Sequence, residues 1–335
     1  MNNLEKLFLS ELKDLYDGEQ QLVQALPELE QKARSGALKM AFREHLEETR
    51  THIKRLTQVF DEIHETPERK ACYGISGLVD EAQAMMRTAP GNSELDAGLI
   101  AAGQKAEHYE IASYGSLCSW AKELGHDGAL RLLKENLSEE KQADEKLARL
   151  AESCRNPGAL FLITLREIYD AEHLLASALA ELEKYAVSKL LKLAVHHHLN
   201  QTEKHSKLLE KVFKEIGPAP DRRPCKGIEG IIDEAQILVM EFLGNSAMDA
   251  GLIAGAQKAE HYEIATYTTL CSWAKELGQK RALDLLEKNL SDELETDKAL
   301  TLLAKTTRNP EAARYDSPAK SDEEAELAKA ITHGP

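Results

Sequence analysis

Gln104–Tyr114 reads QKAEHYEIASY, and Gln257–Tyr267 reads QKAEHYEIATY, 153 residues later. The same offset extends outward from this phrase without a gap. Tyr16 pairs with Tyr169, Cys72 with Cys225, Gly91-Asn92-Ser93 with Gly244-Asn245-Ser246, and Asn156-Pro157 with Asn309-Pro310. CSWAKELG begins at Cys118 and again at Cys271. Solenoid repeats have periods of ~20–50 residues, so a gapless period of this length marks a duplicated domain. The expected units are residues 1–155 and 156–310. The junction RNPGAL at 155–160 is short, which predicts two domains packed as a pair rather than strung apart. Residues 311–335 are polar and acidic and are expected to be a disordered tail.

Composition narrows the class. The chain has 335 residues, 5 % aromatic and 30 % charged, with Leu, Ala, Glu and Lys dominant. That mix forms helices. The formal charge of −15 repels phosphate backbones and anionic lipid, so neither nucleic acid nor membrane is an expected partner. No stretch approaches the ~18 apolar residues of a membrane span. The N-terminal stretch is charged throughout and lacks the features of a secretory signal. Five cysteines without a CxxC pair suit reduced thiols and a cytoplasmic location.

Helical periodicity in the first unit predicts four long helices, near Leu4–Lys32, Ala37–His64, Ser93–Leu124 and Gly128–Glu152. A shorter one is predicted near Gly74–Arg87, and a Ser93–Asp96 cap is expected to open the third long helix. The economical architecture is all-α: two tandem four-helix bundles, each with an additional short helix. Written in steps of three and four, each core stripe is apolar at its ends and polar at its middle. The interruptions are Glu19, His45 with His52 and, between them, Glu48 or Thr49, then Glu107 with Glu110, and Glu140 with Asp144. The second unit repeats them as Glu172, His198, His205, Glu260, Glu263, Glu293 and Asp297. Antiparallel packing brings those middles to one level. Unpartnered buried carboxylates cost several kcal/mol each. A pair of metal ions would neutralise them, and a set of carboxylates with one or two imidazoles suits iron or manganese better than zinc.

The strings FREHLEET, LDAGLIAAGQKAEHYEIASYGSL and LLKENLSEEKQADEKL resemble the YciF/YciE-type ferritin-like family, over essentially all of each unit. The resemblance implies a ferritin-like bundle that forms homodimers, and a bacterial stress response. The general ferritin-like pattern sets one Glu on each of two helices and Glu-x-x-His on the other two. This chain departs from it: the second helix offers His45-x-x-Glu48 and Glu48-x-x-x-His52, and the fourth has no histidine. In the second unit Glu48 has become Gln201, a weaker ligand, so a dinuclear site is expected in the first bundle while the second is left open. His108 and His261 sit off the stripe and read as flanking groups. Of the HHH run at 196–198, only His198 faces inward.

The functional expectation is a stress protein with a dinuclear iron or manganese site, able to support oxidase or peroxide-consuming chemistry. The alternative is a non-enzymatic scaffold whose polar layer is a hydrogen-bond network. The partner expectation is the other bundle, packed as a pseudo-dimer, with room for further self-association.

Overall fold

The computed structural model describes residues 1–88, 92–154 and 157–305. The described residues form helices and no strand. In the first half these are α1 (Asn3–Lys32), α2 (Gly36–Glu62), α3 (Tyr73–Thr88), α4 (Asn92–Leu124) and α5 (Asp127–Ala151). The second half repeats them as α6 (Gly158–Leu182), α7 (Lys189–Ile216), α8 (Lys226–Phe242), α9 (Met248–Glu276) and α10 (Lys280–Leu303). The expected tail at 311–335, and residues 155–156 of the junction, lie outside the described residues.

In each half the four long helices close a ring, α1–α2–α5–α4 and α6–α7–α10–α9. The fifth helix lies outside the ring, with α3 against α4 and α8 against α9. The polar middles divide the apolar core in two. In the first bundle one end holds Leu4, Phe8, Leu12, Leu56, Leu117 and Leu133. The other holds Leu22, Leu26, Phe42, Ile100 and Leu147.

The expected cap at Ser93 lies outside the described side chains, but Asp96 is described. The Asp96 carboxylate does not stay on its own helix. It accepts the Arg34 and Ser35 amides at 2.7 Å each and so secures the turn that leads into α2. Asp249 does the same for Val187 and Ser188 at 2.8 Å each.

The halves meet where α3 crosses α8. A Cβ on Gly77 would stand 2.1 Å from the Lys226 carbonyl oxygen, and one on Gly230 would stand 2.1 Å from that of Tyr73. Only glycine lets the two backbones approach so closely. Carboxylates reach across beside them. Glu81 accepts the Gly227 amide at 2.7 Å, and Glu234 accepts the Gly74 amide at 2.6 Å. Lys105 donates to Glu81 at 3.0 Å and to Tyr262 at 2.9 Å. Lys258 donates to Glu234 and Glu11, each at 3.0 Å. Both lysines are buried, and each has carboxylate partners that offset its desolvation.

These contacts predict that Gly77→Ala destabilises the chain by about 1–3 kcal/mol, because backbone rather than a flexible side chain must move. Gly36→Ala, where a Cβ meets nothing within 4 Å, should be nearly neutral. Urea unfolding of the two variants checks the contrast.

Candidate metal centre

α1 presents Glu19, α2 presents His45 and His52, α4 presents Glu107 and Glu110, and α5 presents Glu140; all six are buried. Their ligand atoms fall into two groups, each spanning no more than 4.8 Å. One is Glu19, His52 and Glu140; the other is His45, Glu107, Glu110 and Glu140. Glu140 belongs to both. The second bundle repeats the pattern with Glu172, His205 and Glu293, and with His198, Glu260, Glu263 and Glu293.

Surrounding side chains orient the members. His52 Nε2 lies 2.8 Å from Glu139, whose carboxylate receives two hydrogen bonds from Arg55, of 2.6 and 2.9 Å. That anchorage turns Nδ1 inward, 2.8 Å from Glu140 and 3.4 Å from Glu19. An imidazole held by a carboxylate on one nitrogen while the other faces a site is the usual support of a metal ligand. Tyr114 donates to Glu19, and Asn136 donates to the Tyr114 oxygen at 2.9 Å. In the second bundle Asp292 stands 3.2 Å from His205, and Tyr267 with Asn289 repeats the other pair. Arg55 has no counterpart there, since its position holds Leu208.

The electrostatics show what the layer lacks. Burial, then Glu140 and Glu19, push the Glu110 carboxyl well above the usual carboxylate range. Burial and Glu140 do the same to Glu107. Burial works against a charged His52, yet the Glu19 and Glu140 carboxylates raise it to about 12. His52 in turn draws Glu140 below its ordinary value despite its burial. His198, by contrast, is lowered by burial to about 4. Protons alone therefore leave a crowded layer. Both oxygens of Glu110 and of Glu263 are buried without a hydrogen-bond partner, while Glu140, Glu260 and Glu293 have only an imidazole nitrogen close by, at 2.8, 2.6 and 2.8 Å. Buried polar atoms almost always find one. Carboxylate and imidazole donors converging without thiolate fit a divalent iron or manganese ion, and the unpartnered oxygens are where it would bind. A further group, Asp14, Cys72 and Glu234, is different: Lys258 already stands 3.4 Å from Asp14 and 3.0 Å from Glu234.

A family model described as a domain of unknown function, DUF892, matches residues 3–159 and again 156–313. The chain belongs to the DUF892 family. Protein YciF of Escherichia coli K12 is 44 % identical over 152 residues, 45 % of this chain and 92 % of YciF. The crystal structure of the E. coli stress protein YciF is 43 % identical, covers 45 % of this chain and 96 % of that one, and has a TM-score of 0.44. YcfI from Rhodopseudomonas palustris is 43 % identical, covers 43 % and 92 %, and has a TM-score of 0.43. The tandem resemblance read from the residues holds. No helix among the described residues of this DUF892 chain is long and apolar enough to cross a membrane.

Three of the sequence candidates are not brought to the groups. Glu48 turns outward, 44 % exposed, with its carboxylate 3.6 Å from His45 Nδ1. The stripe passes through Thr49, which is fully buried, and not through Glu48. Asp144 stands at the rim, 3.7 Å from His108, and Asp297 stands 3.6 Å from His261. The expected inequality rested on Glu48 and Gln201, and neither lies in a group; both bundles carry the same donor set. Sequence reading passed over Asn136 and Glu139. The signal was available: Asn289 and Asp292 keep an amide and an acid at the repeated positions.

The metal-free protein should lose stability as pH rises from about 7 to about 9. His52, raised to about 12 by Glu19 and Glu140 against its burial, keeps in the fold a proton that an unfolded imidazole has released by pH 7, so stability falls as pH rises through this range. Urea melts in chelator across that range should show the decline, and saturating manganese should flatten it.

Proposed function

We propose that each bundle of this DUF892 chain holds a dinuclear iron or manganese centre, with Glu140 and Glu293 as the carboxylates shared by the two ions. The observation that carries this reading is the set of buried, unpartnered carboxylate oxygens, repeated in both bundles. Glu19 and His52 would hold one ion and His45, Glu107 and Glu110 the other, with the corresponding five in the second bundle. A bound pair of such ions supplies paired electron transfer to dioxygen or peroxide. The chain's own residues supply the setting. Glu139 fixes the tautomer of His52, Tyr114 holds Glu19, and the apolar ends keep bulk water from the layer. YciF is a stress protein, and a cytoplasmic role in consuming oxidant during stress follows as the reading for this chain.

The pairing of the halves belongs to the same proposal. Gly77 packs on Lys226 while Gly230 packs on Tyr73, and Glu81 accepts the Gly227 amide while Glu234 accepts that of Gly74, so each contact has its counterpart through the repeat. A contact that uses one patch on both partners is that of a two-fold dimer. We read the fused pair as such a dimer built within one chain.

Glu110→Leu should abolish metal binding in the first bundle and leave the second intact. Elemental analysis of chelator-free protein is expected to give four ions per chain for the parent, one for each group, and half that for the variant. The variant should melt no lower than the metal-free parent, because it removes one of the crowded carboxylates. A parent without bound metal, together with a variant destabilised by ~1–3 kcal/mol, would leave the layer as a structural hydrogen-bond network instead.

A further inference from the structure

The two layers share one donor set but differ in the side chains that stand beside it. In the first bundle a cavity of about 200 Å³ runs between α2 and α5 and ends on His45 and Glu107. Glu48, Gln142, Lys146 and Arg149 line its outer part. The repeat places Gln201, Glu295, Ala299 and Leu302 at those positions in the second bundle, so both cations are gone. One further exchange decides what happens there. Ala143, which also lines the cavity, becomes Thr296. The Thr296 hydroxyl lies 3.2 Å from Gln201 Oε1 across the gap between α7 and α10, and its single proton is shared between that oxygen and the Asp292 carbonyl of its own helix at 3.0 Å. Gln201 is accordingly buried, whereas Glu48 is half-buried. Ala143 has no group with which to hold Glu48 inward.

We propose that the Gln201–Thr296 pair is a closed gate over the second metal centre, and that the cavity beside Glu48 is the open approach to the first. Small polar species, such as a hydrated divalent cation or peroxide, reach His45 and Glu107 through that approach. The second centre exchanges only when the half-buried Gln201–Thr296 contact opens. The tandem chain thus carries one exchangeable centre and one retained centre of equal donor chemistry. The inference rests on the metal-centre reading above.

The test uses full-length chain loaded with manganese and mixed with excess chromogenic chelator. Glu263→Leu leaves only the first centre able to bind, and Glu110→Leu leaves only the second. Metal content is measured first in both. Release from Glu263→Leu protein should be about tenfold faster than from Glu110→Leu protein, on the scale of one hydrogen bond. Adding Thr296→Ala to the Glu110→Leu chain should speed release toward the faster rate. Adding Ala143→Thr and Glu48→Gln to the Glu263→Leu chain should slow it. Equal rates at full metal content, or a slow rate indifferent to Thr296→Ala, would overturn the gate and leave the metal reading standing. No bound manganese in the parent or in either variant would overturn the metal reading, and the gate with it.

Discussion

Six ionisable side chains are held at one level of each bundle, away from water, and four of them are carboxylic acids. That crowding is the constraint from which the rest follows. Apolar contacts above and below must offset it, which is why the core is divided into two ends rather than running through. Flanking groups must orient the members, which accounts for the Glu139–Arg55 pair and the Tyr114–Asn136 pair beside the layer. The remaining charge is shared among a protonated His52, carboxyls held above their usual range and an ionised Glu140. On the proposed reading two cations replace that arrangement, and the carboxylate oxygens gain partners that the protein itself does not provide.

Much of this was legible in the sequence because duplication prints the important positions twice. Helical period and an interrupted stripe were enough to place Glu19, His45, His52, Glu107, Glu110 and Glu140 together. The same reasoning could not choose between Glu48 and Thr49, and it set Asp144 too deep; Glu48 lies four residues before His52 and Asp144 four after Glu140. A step of four keeps two side chains on the same broad face, yet leaves a carboxylate room to turn toward water. Spacing reports the face; it does not report how deep along that face a side chain ends. Only packing does, and at this level Thr49 takes the inner position and Glu48 the outer.

The interface was less legible for a different reason. Lys105, Tyr109 and Glu81 look like surface charge and ordinary packing when one half is read alone. Their partners lie in the other half, more than a hundred residues away, as with Lys105 and Tyr262 or Tyr109 and Glu234. Nothing in a helical period encodes such a pairing. The glycines at 77 and 230 gave the nearest hint, since glycine inside a helix costs about 1 kcal/mol against alanine unless close approach requires it.

Joining the halves in one chain changes what the α3–α8 crossing can become. Two separate identical subunits would lose that contact on dilution, and any substitution made on one side would appear on the other. Here the crossing forms within a single molecule, so its strength does not depend on protein concentration. Each side is also free to drift. Glu11 supports Lys258, while the matching position beside Lys105 is Thr164. If the halves pair as proposed, the covalent link releases them from the rule that both faces of a symmetric contact be chemically the same, and Glu11 opposite Thr164 is where the two sides differ.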